Sequence, residues 1–109
     1  MRLLRCLLIS AVLLGATAGS SYATDTDLAA QIAAASTPEQ HQAIADEYRA
    51  MAEESREKAN KHRRMAERYS EGKSVLSQAP HCNSIADRYD ANAKEYEAMA
   101  EAHAAQAKK

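Results

Sequence analysis

The chain has 109 residues, no Phe or Trp, and a formal net charge of −1 from 14 basic and 15 acidic side chains. That near-balance argues against a nucleic-acid binder, which carries a basic surplus. Few large apolar residues can signal disorder, but disorder usually also brings high net charge. Here Ala, Glu, Lys, Leu and Arg recur with helical periodicity, which is the composition of long helices.

The chain opens with "MRLLRCLLISAVLLGATAGSSYA", which has the pattern of a signal peptide over 1–23. Arg2 and Arg5 form a positive start, an apolar run follows from Cys6 to Leu14, and small residues offer cleavage after Ala18 or Ala23. Ala23 is preferred because polar "TDTD" then begins the mature chain. The apolar run is shorter than the roughly 20 residues a membrane helix needs. The expectation is export to the periplasm or the medium, with no membrane span after cleavage. Loss of Arg2 and Arg5 takes the formal charge to −3. Cys6 leaves with the leader, so Cys82 becomes the single mature cysteine. Its thiol is then free, paired with another chain, or bound to something.

A polar segment over 24–36 holds a short predicted helix at about 27–35. Next, "TPEQ" supplies Thr37 as N-cap, Pro38 for the first helical position and Gln40 as capping-box partner. A long helix is predicted to about Glu71, with Gly72 as its stop. "GKSVLSQA" connects to a second helix from Pro80 to about Gln106, and Lys108 and Lys109 suit its carbonyl end. The domain division is therefore a leader over 1–23, the polar segment over 24–36 and a helical hairpin over 37–109.

Both long helices repeat every seven residues. In the first, His41, Tyr48, Ser55, His62 and Tyr69 share position a, and Ile44, Met51, Lys58 and Met65 share d. Ala45, Ala52, Ala59 and Ala66 fall at e. In the second, a holds Cys82, Tyr89, Tyr96 and His103, d holds Ile85, Asn92, Met99 and Gln106, and e holds Ala86, Ala93, Ala100 and Ala107. A seven-residue repeat with an apolar face predicts lengthwise packing of helices. A hairpin centred near Leu76 brings the alanine columns level, Ala66 with Ala86, Ala59 with Ala93, Ala52 with Ala100 and Ala45 with Ala107. The echo of "EYRAMAEES" in "EYEAMAEAH" is then one surface built twice. The same register sets Tyr48 near His103, Met51 near Met99 and Ser55 near Tyr96. It also places Arg64 toward Asp87, Lys61 toward Asp90 and Arg56 toward Glu95. Ser55, Lys58 and Asn92 make a polar layer that would penalise other registers.

The fold class is thus all-α, an antiparallel hairpin of two long helices. Two such helices make a thin core. Either two copies join as a four-helix bundle, or the short N-terminal helix folds back as a third element.

Two functional readings follow. The first is a non-enzymatic exported module acting through protein–protein contacts, most readily as a homodimer. No Gly-rich phosphate loop, haem-attachment motif or nucleophile elbow is present. The second is a soft-metal site, for copper, using Met51, Met99 and His103 at one end and His62, Met65, His81 and Cys82 at the other. Thioether, thiolate and imidazole suit Cu(I). Each of these residues also has a plain structural role: Met as core filler, His at a seam, and Cys82 as a small buried thiol. His41, in a first helical turn, reads as solvated.

Overall fold

The computed structural model describes residues 25–72 and 78–109. The leader, both cleavage points and the turn around Leu76 lie outside the described residues. Three helices follow in chain order: α1 (Asp25–Ala34), α2 (Pro38–Glu71) and α3 (Ala79–Ala107). No helix among the described residues is long and apolar enough to cross a membrane.

The start of α2 follows directly from its residues. Thr37 is extended, at φ −112° and ψ 155°. Its hydroxyl oxygen accepts from the Gln40 amide at 3.2 Å, while Gln40 Oε1 accepts from the amides of Thr37 at 3.1 Å and Ser36 at 2.8 Å. Three backbone donors near the helix mouth are thereby used, and Pro38 has none to leave unpaired. This capping box breaks the path between α1 and α2, so the two do not merge into one helix. The other end of α2 differs from expectation. Gly72 is extended, at φ −76° and ψ 146°, and its N–H donates to the Arg68 carbonyl. The stop therefore uses no left-handed residue, and glycine's special freedom is not required there. Each end of α1 and α3 lies within two residues of its predicted position.

α2 and α3 run antiparallel along an alanine seam. Ala45, Ala52, Ala59 and Ala66 of α2, and Ala86, Ala93 and Ala100 of α3, are each at most 3 % exposed; Ala107, the last residue of α3, is half-buried. Methyl side chains let two backbones approach closely, so contact is spread over many small dispersion terms.

What flanks the seam differs from the sequence expectation. With about 100° per residue, position a lies about 40° from the alanine column on one side, b about 60° on the other, and d about 100° away. Centring the contact on e therefore turns d outward and brings b inward. Ile44 is buried, but only where α1 lies over it, and Met51 is half-buried. Lys58, Met65, Ile85, Asn92, Met99 and Gln106 are exposed. Met51 and Met99 consequently form no shared core, since Met99 is 42 % exposed. The predicted polar layer is absent for the same reason: Ser55 is buried, whereas Lys58 and Asn92 face outward.

Column b carries the cross-helix ion pairs. Arg56 binds Glu97, and Arg63 binds both Asp90 and Asp87. Arg56 was expected to pair, but with Glu95, while Asp87 and Asp90 were assigned to Arg64 and Lys61. Arg64 and Lys61 project from α2 away from the seam, as their exposure shows.

α1 does fold back as a third element. Leu28 is 6 % exposed and clusters with Ile44, Tyr48 and Ala100, with Ala35, Met51 and Tyr96 packed around them. At the far end, Ala66, Ala79 and Cys82 form a second, smaller cluster.

Candidate functional site

Position a forms a column of rings along one flank of the alanine seam. At the open end of the hairpin, away from the turn, His41 and His103 lie with ring centroids 5.3 Å apart. Their Nδ1 atoms are 3.1 Å apart. One ring must donate and the other accept at that contact, because a neutral imidazole carries one N–H. His103 stacks on Tyr48 at 5.9 Å, and Tyr48 on Tyr96 at 6.3 Å. Ser55, small and buried, interrupts the column. Beyond it His62 stacks on Tyr89, centroids 5.8 Å apart and planes 18° from parallel. Such ring pairs add about 0.5–1.5 kcal/mol each beyond area burial. The expected approach of Tyr48 to His103 is realised.

The electrostatics of this flank are mild. Lys58 Nζ lies 5.8 Å from the centre of the Tyr89 ring and 2.6 Å from a Glu54 carboxylate oxygen. The Glu54 hydrogen bond, reinforced by its charge, raises the Lys58 pKa. On the opposite flank the hydrogen bond to Asp90 raises the Arg63 pKa. His62 Nδ1 is buried and makes no hydrogen bond with the described residues.

The seven residues named as soft-metal ligands are spread along the rod. Met51 packs against the Leu28–Ile44–Tyr48–Ala100 cluster. His103 lies at the open end with His41. His62 lies on Tyr89 well along the hairpin. Met65 and Met99 are exposed, at 37 % and 42 %, as is His81. Cys82 is buried in a cluster with Ala66 and Ala79 and makes no disulfide with the described residues. Among the described residues no three His, Cys, Asp or Glu side chains gather where one ion could be held.

His41 is the residue that sequence reasoning passed over. It is half-buried, not simply solvated. The signal for it was present, because His41 heads the same heptad column as Tyr48, and the hairpin register carries that column to His103.

One shallow surface depression on α2 is lined by Lys61, Arg64, Met65, Arg68 and Tyr69. It combines a basic rim with the exposed apolar surface of Met65 and Tyr69. Ile85 and Met99 are exposed on α3 on the same flank as the ring column. α1 covers that flank around Ile44 and Tyr48, leaving Met65, Tyr69, Ile85 and Met99 exposed.

Comparison with known proteins returns no matching family model, no matching curated sequence and no matching solved structure.

Proposed function

We propose that this protein is an exported, non-enzymatic helical-hairpin module that works through protein–protein contacts, the first of them with a second copy of itself. One observation carries the reading. The two flanks of the seam are unlike: one neutralises its own charges with Arg56–Glu97 and Arg63–Asp90, while the other exposes Met65, Tyr69, Ile85 and Met99 beside the rings. Two hairpins facing each other across that apolar flank make a four-helix bundle, with α1 at its outer end. The lack of catalytic motifs in the sequence supports a non-enzymatic role, and the leader pattern over 1–23 supports export.

Sedimentation of the purified chain tests the assembly. Dimers are expected, with a thermal midpoint that falls on dilution. Ile85→Glu with Met99→Glu should yield monomers that remain helical. A wild-type chain that stays monomeric at every concentration overturns the reading. Export is tested by N-terminal sequencing of protein recovered outside the cytoplasm, with Thr24 as the expected first residue.

A further inference from the structure

The geometry points to a metal site that the soft-ligand expectation did not contain: His41 and His103 together hold one late divalent cation, Cu2+ or Zn2+, through their two Nδ1 atoms. The two residues come from separate helices, four positions into α2 and five from the end of α3. Their Nδ1 atoms already face each other at 3.1 Å. An ion about 2.0–2.1 Å from each imidazole nitrogen requires a span of roughly 2.8 Å for a right-angle pair of ligands and roughly 3.4 Å for a tetrahedral pair. The observed separation lies between those limits, but ring centres 5.3 Å apart set the two nitrogens nearly head-on, so each ring must tilt by roughly 40° for both lone pairs to converge on an ion at that distance.

The surroundings suit a ligand pair. Tyr48 stacks on His103, ring centroids 5.9 Å apart. Both imidazoles are half-buried, so the remaining coordination positions open to water. Imidazole alone, without thiolate or a carboxylate cluster, selects zinc and copper(II) over calcium or magnesium. In the metal-free chain one proton lies between the two nitrogens. On binding, the donating ring carries that proton on Nε2 instead, and two neutral imidazoles ligate the ion; no net proton is released. With two protein ligands the affinity is modest, in the micromolar range. The bound ion staples the first turn of α2 to the last turns of α3. It closes the end of the hairpin opposite the covalent turn. The proposal does not depend on dimer formation.

Calorimetric titration of the tag-free chain with CuCl2 and ZnCl2 at neutral pH is the test. One ion per chain is expected, with a thermal midpoint rising as the ion concentration exceeds the dissociation constant. His41→Asn and His103→Asn should each weaken binding by roughly tenfold or more, whereas His62→Asn and His81→Asn should leave it unchanged. Sub-stoichiometric Cu2+ should broaden amide NMR signals around 41 and 103 in the wild-type chain. That measurement needs no variant and decides the matter if either Asn variant unfolds. Saturation only above about 1 mM, equal weakening by the His62 or His81 variants, or broadening centred elsewhere would overturn the site.

Discussion

The two flanks of the alanine seam solve the same problem with different chemistry. Both must shield a narrow column of methyl groups. On one flank the stems of Arg56 and Arg63 lie across the seam while their guanidinium groups reach Glu97, Asp90 and Asp87. On the other, rings of His41, Tyr48, His62, Tyr89, Tyr96 and His103 make stacked and tilted pairs along the seam. The ion pairs are solvent-exposed and screened by salt, so each contributes little. The rings remove apolar area from water and contribute more. The difference teaches that the ring flank carries stability and the charged flank carries alignment. Among the described residues of α2 and α3, the ring flank is also the one that exposes large apolar side chains.

Substitutions can break that division. The largest effect is expected at Tyr48, which is 9 % exposed and joins Leu28, Ile44 and Ala100. Tyr48→Ala should cost about 3 kcal/mol, the low end for removing a large buried aromatic side chain, read by urea unfolding. A loss equal to that of Arg63→Ala would abolish the distinction between flanks. At the seam itself, Ala59→Leu introduces bulk at a fully buried position. Overpacking of this kind should cost about 1–3 kcal/mol, and an unchanged melting temperature would mean that the two helices do not meet there. On the charged flank, Arg63→Ala should cost about 0.2–1 kcal/mol, and that loss should shrink as salt is added. A larger, salt-insensitive loss would show that the arginine stem, not its charge, matters.

The smallest effect concerns pH. The carboxylate of Glu54 raises Lys58 above the ordinary lysine value of 10.5. The folded chain therefore holds this proton more tightly than the unfolded chain. Its contribution is present in full below the unfolded value and disappears as pH rises through the folded one. Wild type should slightly exceed Lys58→Met in stability at neutral pH, and the gap should close in alkali. A gap that widens in alkali would mean the charge is unfavourable where it lies.

Much of this architecture was legible from residue spacing. The alanine columns every seventh residue fixed which faces meet, and "TPEQ" fixed where α2 begins, because both signals are local and strongly periodic. The approach of Tyr48 to His103 followed from the same register. Position d was misread because heptad reasoning assumes the contact centres between a and d, as it does when large side chains interlock. With alanine at e the backbones draw together there, which rotates each helix so that b replaces d at the contact. Lys58, Asn92 and Met99 moved outward for that reason, and Arg63 took the partners assigned to Arg64 and Lys61. The histidine pair was half legible, since the register brings the two residues to one end of the hairpin but does not aim their nitrogens. His41 and His103 lie 62 positions apart, and only the exact helix rotation shows that their nitrogens face one another.

Cys82 gives the molecule a reporter of its own motion. Cys82 is buried in a cluster with Ala66 and Ala79, so its labelling by a thiol reagent should speed up when α2 and α3 separate there. If that opening is fast compared with labelling, the observed rate is the intrinsic thiol rate multiplied by the open fraction. The ratio of native to denatured labelling rates thus becomes a local stability measurement, made without any introduced probe. Comparing it with and without Cu2+ would reveal whether a staple at one end of the rods is felt at the other.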